Sequence, residues 1–331
     1  MLHIHSGDCS ATAASGIFEG KHLVWSDNLF EGPLPRGDWN DAVWLDARAG
    51  ALADYLGGRD RAAFLLGKRY EIIQEAVIRS TEITLWFDSC LYDMMLLCQF
   101  LWFTRNVLEG KPVYLVCEEI RSDGSRFGGY GQLDETELKT MCGRCKPVTA
   151  AMMQDGLESW TAFTSGDPTD WQALAQKTHP LTPFLAPAAE RLLEQLPDSR
   201  GLNRLEEEIL NALSTGPARL KDLFQTVLTM EERPFFGDTV VWQELNRMVS
   251  GSIPRVKLRG PGKRIPVNVF PPPGEPEFKA EEWEAAITGE GKRILEGTGS
   301  ARAAGDHERW IANVKLTSGC GLRHERKRRK S

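Results

Sequence analysis

Apolar positions in the first half of the chain fall into short blocks that alternate with longer periodic runs. Residues 2–6, Leu-His-Ile-His-Ser, alternate and then meet Gly7-Asp8, which predicts a short strand, a turn and an Ala/Ser-rich helix within residues 2–16. Leu23-Val24-Trp25 is a second strand. Pro33, Pro35 and Gly37 mark a loop, and Asp38 stands as the N-cap of a helix over 39–56. Leu65, Leu66, Ile72, Ile73, Ala76 and Val77 recur near the helical period, which predicts a helix over 62–79. Residues 83–87 are apolar almost throughout, as a strand covered on both faces is. A very apolar helix over 92–108 and a fourth strand over 112–117 follow. Strand and helix in alternation imply βαβ units and a mostly parallel sheet, in a domain over residues 1–149.

The pattern then changes. Residues 150–200 read as a helical linker: Met152, Met153, Leu157, Trp160 and Phe163 line one helix, Asp167-Pro168 breaks it, Thr169 caps the next, and a helix resumes over 188–196. Residues 201–318 read as a winged-helix-like α+β domain. Asn203 caps a first helix, Leu220 to Leu228 make a second, and Gly237-Asp238 opens a third. A hairpin of 256–258 with 265–270 follows, then a helix over 283–295. Residues 319–331 read as a basic disordered tail.

Composition narrows the class. The chain has 331 residues, 41% hydrophobic and 26% charged, which rules out wholesale disorder. No apolar run reaches the roughly 18 residues of a membrane span, and the start lacks a basic then apolar leader. The seven Cys, an odd number, then read as reduced thiols of a cytoplasmic protein. The net charge is −6, but residues 323–330 hold six Arg/Lys and one Glu. The rest is strongly acidic, which argues against general nucleic-acid binding.

Candidate chemistry gathers where the predicted strands end, the place where open α/β sheets bind ligands. Asp8, Asp27 and Asp88 each follow a strand, with Glu31 and Asp93 close behind and Tyr92 placed to donate a hydrogen bond. Crowded carboxylates raise one another's pKa or take up a divalent metal, so these six residues are the candidate catalytic set. The ordinary reading is that each carboxylate caps the helix after it. Ser6-Gly7-Asp8-Cys9-Ser10 fits no phosphate-loop pattern beyond a tight turn. His3 and His5 share a strand face and read as core histidines. Cys142-Gly143-Arg144-Cys145 is a single C-x-x-C without a partner pair for zinc. In the second domain the third helix carries Asp238, Glu244 and Arg247, which argues against major-groove reading. The wing instead offers Arg255, Lys257, Arg259, Lys263 and Arg264 as a contact surface for a protein or, less favoured, a nucleic acid.

Three strings carry a resemblance: His3-Ile4-His5-Ser6-Gly7-Asp8-Cys9-Ser10, the run from Val24-Trp25-Ser26-Asp27 to Glu31-Gly32-Pro33-Leu34-Pro35, and Leu85-Trp86-Phe87-Asp88-Ser89-Cys90-Leu91-Tyr92-Asp93. Together they resemble the N-terminal part of a bacterial family known as domain-of-unknown-function family 1835. Gly131-Gln132-Leu133 also fits. Leu202 to Glu206, Phe235 to Asp238 and Glu308-Arg309-Trp310 resemble that family's companion C-terminal region. The family pattern has an Arg where this chain has Ser26, and Glu-His-Asp where it has Asp88-Ser89-Cys90. The resemblance therefore implies altered or lost activity in this member if the family is enzymatic. The expected function is binding of, or action on, a small polar or phosphorylated ligand at the strand-end carboxylates. The alternative is a non-enzymatic regulator or adaptor working through the wing and tail.

Overall fold

The structure is a computed structural model that describes residues 1–250, 253–269, 277–301 and 309–316. The expected basic tail lies outside them. The chain forms two compact units: Met1–Ala51, Asp60–Arg191 and Ala312–Val314 in the first, Leu52–Arg59, Leu192–Ile311 and Lys315–Ser331 in the second.

The first unit opens with β1 (Leu2–His5), α1 (Asp8–Ser15), β2 (Lys21–Val24) and α2 (Ala42–Ala51). The helix expected from residue 39 starts three residues later. Asp38 Oδ1 accepts only from the Trp39 N–H, whereas Asp41 Oδ1 accepts from the Val43 N–H at 2.8 Å and so takes the capping place. A short α3 (Ala53–Leu56) is separate and belongs to the second unit. Next come α4 (Arg59–Arg79), β3 (Ile83–Trp86), α5 (Leu91–Thr104), β4 (Val113–Val116), α6 (Glu135–Gly143) and β5 (Lys146–Pro147). The sheet order is β2-β1-β3-β4-β5, with the first four strands parallel and β5 antiparallel at the edge. Both central strands, β1 and β3, are buried along their whole length.

Pleating divides the two faces. His3, His5 and Trp86 lie on one, where Trp86 joins Val116, Phe127, Tyr130, Leu138 and Met141 in a buried cluster. A separate aromatic cluster around Trp25, Trp44, Tyr70, Phe100 and Phe103 packs edge to face, with ring centroids such as Trp44–Phe103 5.3 Å apart.

Residues 150–200 are not a linker. They form α7 (Ala150–Phe163), α8 (Pro168–Gln176) and α9 (Leu185–Leu193), and the division between units falls inside α9. The reason is burial. α7 packs on α5, and a Cβ at Gly156 would lie 2.6 Å from Leu101 Cδ1, so a larger residue there would push the Leu101 side chain aside. Asp155 on α7 is buried and accepts from the Leu181 N–H and from His179 Nδ1, at 3.1 and 3.0 Å. Asp167, rather than Thr169, caps α8, with Pro168 at the first helical position. Asn313 returns from far along the chain: its Oδ1 accepts from the Leu34 N–H and its Nδ2 donates to Thr164 O.

In the second unit, α10 (Arg204–Ser214) begins at the expected cap Asn203, which forms a capping box with Glu206. β6 (Ala218–Arg219), α11 (Leu220–Met230), α12 (Asp238–Val249), β7 (Val256–Arg259), β8 (Glu284–Ile287) and α13 (Gly289–Leu295) follow. β9 (Arg309–Ile311) and β10 (Val314–Leu316) make a two-stranded sheet. The expected hairpin of 256–258 with 265–270 does not form. β7 pairs antiparallel with β8, β8 pairs with β6, and the order is β6-β8-β7. Part of the stretch read as a helix over 283–295 is thus a strand, because Thr288 accepts from the Gly291 N–H and starts α13 only there.

α12 is buried from Val240 to Asn246 and again at Met248. Gln243 Nε2 donates to Asp54 Oδ2, and Glu244 pairs with Arg309 and Arg247. Burial opposes the Glu244 charge, and Arg309, Arg247 and Arg255 overcome it, holding its carboxyl low. Arg255 pairs with the buried Glu206 at 2.8 Å, so it is a structural cation and not a contact residue of the wing. Lys257, Arg259, Lys263 and Arg264 are exposed. Their segment is held by Trp283, which lies where a Cβ on Gly260 would be 2.4 Å from its ring, and by paired 2.8 Å hydrogen bonds between Asn246 and the Ile265 backbone.

Candidate functional site

In the parallel part of the sheet, β2 lies to one side of β1 while β3 and β4 lie to the other, so strand order reverses between β1 and β3. A crevice at the carboxyl ends of two such strands is the ordinary ligand position of an open α/β sheet. Ser6 follows β1 there, Phe87 and Asp88 follow β3, and Cys117 follows β4.

Of the six predicted residues, the structure brings Asp88 and Asp93 into direct contact. The Asp88 N–H donates to the Asp93 carboxylate, which the first turn of α5 carries back under the end of β3. Cys90 Sγ donates to Asp93 Oδ1 at 3.6 Å, and the Ser6 side chain is hydrogen-bonded to the same carboxyl. Burial nonetheless raises Asp93, to about 6. Asp88 is pushed well above the usual carboxylate range, by burial first and then by the charge of Asp93. The backbone N–H of Tyr130 bonds the Asp88 carboxyl, yet Asp88 Oδ1 is buried without a hydrogen-bond partner.

The loop carrying Tyr130 is shaped to this pair. Gly129 has φ +143°, and a Cβ there would lie 3.2 Å from Asp88 Oδ2. A Cβ at Gly131 would lie 2.6 Å from Cys9 Cβ, so the loop also lies directly on α1. The Tyr130 hydroxyl accepts from the Glu118 N–H at 2.8 Å, and Ser89 Oγ donates to Glu119 Oε2 at 3.0 Å. Burial, Asp93 and Asp88 raise the Cys90 thiol, so it stays protonated and is no nucleophile.

Tyr92 is hydrogen-bonded to the Ser26 side chain, and burial followed by the charges of Asp93 and Asp27 raises its pKa. Arg69 on α4 donates to the carbonyl of Ser26.

Asp27 and Glu31 serve a different centre. Arg48, 0% exposed, grips both Asp27 oxygens, at 2.9 and 2.5 Å, and donates to the carbonyls of Asn28, Glu31 and Pro33. That guanidinium replaces the backbone pairing that an irregular buried loop lacks. Asp8 is exposed in the first turn of α1, whose N-cap Gly7 supplies no side-chain cap. The expected gathering of up to five carboxylates is thus the Asp88–Asp93 pair, the Asp27–Arg48 ion pair with the Glu31 charge also acting on Arg48, and Asp8 solvated at a helix start. Nothing in the sequence around Arg48 marks it as the partner of Asp27; the Gly128-Gly129-Tyr130-Gly131 cluster was the visible sign of a close-lying loop. Among the described residues no group of three or more His, Cys, Asp or Glu is arranged to hold a metal ion.

His3 and His5 are buried and stack with His22 of β2, with His3–His22 ring centroids 4.4 Å apart. Every ring nitrogen has a hydrogen-bond partner. Trp86 Nε1 donates to His3 Nδ1, so His3 Nε2 donates to Glu19 O. His22 Nε2 donates to Phe18 O, its Nδ1 is hydrogen-bonded to His5 Nε2 at 3.0 Å, and His5 Nδ1 is hydrogen-bonded to Ser10 Oγ at 2.9 Å. Burial first, and His22 second, lower His3 to about 4 and His5 to about 3.

No protein-family model matches the chain, and no curated protein sequence matches it. None of the helices among the described residues is long and apolar enough to cross a membrane.

Proposed function

We propose that the first unit binds a small polar molecule at the carboxyl ends of β1 and β3 and exchanges a proton with it through Asp88 and Asp93. One observation carries this reading: Asp88 Oδ1 is buried with no hydrogen-bond partner, beside a second carboxyl and beneath a glycine. An unsatisfied buried oxygen costs about 1–3 kcal/mol, and a ligand group bonded to it removes that cost. With Asp93 ionised and Asp88 protonated, the pair holds one acceptor and one acid, the division of roles that general acid–base chemistry uses. Phosphorylated ligands fit less well, since a phosphate beside Asp93 meets like charge. The resemblance to bacterial family 1835 supports the placing, since the strings that carry it include Asp88, Tyr92 and Asp93. A cytoplasmic setting belongs to the same reading.

Native mass spectrometry of the purified full chain tests it. The wild type is expected to carry or take up a small polar molecule that Asp88→Asn and Asp93→Asn lose while keeping their circular dichroism. An adduct equally retained by both variants, or no binding from a metabolite mixture, overturns the proposal.

The second unit supports an additional reading, favoured by the order α10-β6-α11-α12-β7-β8 with its β6-β8-β7 sheet. That order resembles a winged helix-turn-helix, and the unit on this reading is an adaptor or regulator. With α12 buried, contact falls to the exposed wing of Lys257, Arg259, Lys263 and Arg264, toward an acidic protein surface ahead of a nucleic acid. Salt-dependent retardation with random DNA and RNA, and pull-down by an acidic peptide, separate the two partners.

A further inference from the structure

We infer that Cys142 and Cys145 are a reversible dithiol–disulfide pair that exchanges with a low-molecular-weight disulfide. The pair lies where α6 runs out. Arg144 N–H donates to Met141 O at 3.0 Å and Cys145 N–H to Cys142 O at 3.1 Å, so the last turn has tightened to i→i+3 bonding. In such a turn the side chains of residues i and i+3 eclipse, and a rise of about 2 Å per residue puts their Cα atoms about 6 Å apart. A disulfide needs Cα atoms about 4.4–6.8 Å apart with side chains on the same side. Both cysteines are half-buried and neither is in a disulfide.

The two differ in role. Burial, and then Cys145, raise the Cys142 thiol and hold it protonated. Exchange that begins at its partner, Cys145, proceeds without first deprotonating Cys142. Its thiolate attacks one sulfur of glutathione disulfide; the S–S bond breaks and a glutathione thiolate leaves and takes up a proton. Cys142 then gives up its proton and attacks the Cys145 sulfur of the mixed disulfide, which expels the second glutathione. Two protein thiols are oxidised and one glutathione disulfide is reduced to two glutathiones. Both cysteines pack against the cluster that holds Trp86, Tyr130 and Met141. Closing the bond thus ties the end of α6 to the start of β5 beneath the loop that covers Asp88.

The test uses the full chain in glutathione buffers from fully reduced to fully oxidised, quenched by alkylation and mapped after trypsin. Trypsin cuts after Arg144, so the two cysteines leave on separate peptides unless a disulfide joins them. The joined species is expected to rise with oxidation and to vanish on re-reduction. Cys145→Ser and Cys142→Ser are expected to leave glutathione as a mixed disulfide on the remaining thiol. Exposed Cys9 serves as the internal control for how far glutathione loads an accessible thiol at each poise. Absence of the joined species at every poise, with Cys142 and Cys145 either free or each carrying its own glutathione, overturns the inference.

Discussion

Acid should loosen the first unit through its histidine stack, in an amount that one substitution isolates. His5 is neutral in the fold, with its pKa brought from 6.5 to about 3. The unfolded chain binds the proton that the fold refuses, so the stability is present above the unfolded pKa and drains away as pH falls from there toward the folded one. For pKa values of 6.5 and about 3, linkage gives a loss of about 2 kcal/mol between about pH 7.5 and about pH 5. His3, brought to about 4, contributes a similar amount over that interval. Asp93 works the other way. Its folded pKa of about 6 exceeds the unfolded value, so it adds about 1 kcal/mol on acidification over the same window. The raw pH profile therefore mixes opposing terms, and the informative quantity is a difference of differences. His5→Gln removes one titration. Urea unfolding at the two pH values, followed by circular dichroism, should show the variant losing about 2 kcal/mol less stability than the wild type on acidification. Equal losses in the two proteins would refute the assignment of His5 as a buried neutral ring.

Other expectations follow from the same geometry. Arg48→Met should cost about 3–5 kcal/mol in urea unfolding, because it strands Asp27 as a buried charge, and adding Asp27→Asn should recover part of that loss. Gly129→Ala forces a left-handed conformation on a residue with a Cβ and presses it toward Asp88; we expect about 1–3 kcal/mol of lost stability together with lost ligand binding. Asp93→Asn should flatten the stability profile near pH 6 and raise stability at neutral pH, where the native carboxyl is charged and buried, as read by thermal unfolding across pH. Should the wing hold a nucleic-acid backbone, replacing Lys257, Arg259, Lys263 and Arg264 with Ser should cut the slope of log affinity against log salt by about 3.6; an unchanged slope excludes it.

The parallel sheet was legible because its strands are short apolar blocks set between periodic helices, and the cap at Asn203 was legible from local spacing alone. What escaped was pairing at a distance. Glu284-Ala-Ala-Ile has helix-forming residues, and hydrogen bonds to β7 on one side and to β6, farther back in the chain, on the other make it a strand. Arg255 sat among wing cations of the same sign, and only the buried Glu206 on another helix turns it inward. The candidate site divided in the same way. The five-residue interval between Asp88 and Asp93 put both at the start of α5, so their meeting was local. The capture of Asp27 by Arg48 depends on a helix 21 residues later and left no trace in composition.

The chain threads its two units in an interlocked order. Residues 52–59 are lent to the second unit, and Ala312–Val314, with the Asn313 amide that stitches Leu34 to Thr164, are lent back to the first. A single cut near residue 191 therefore frees neither half intact: one fragment carries away a helix it does not use, and the other keeps a clamp that its neighbour needs. Dissection into separately expressed pieces would impair both, and a truncation before Asn313 would strip Leu34 and Thr164 of their shared partner.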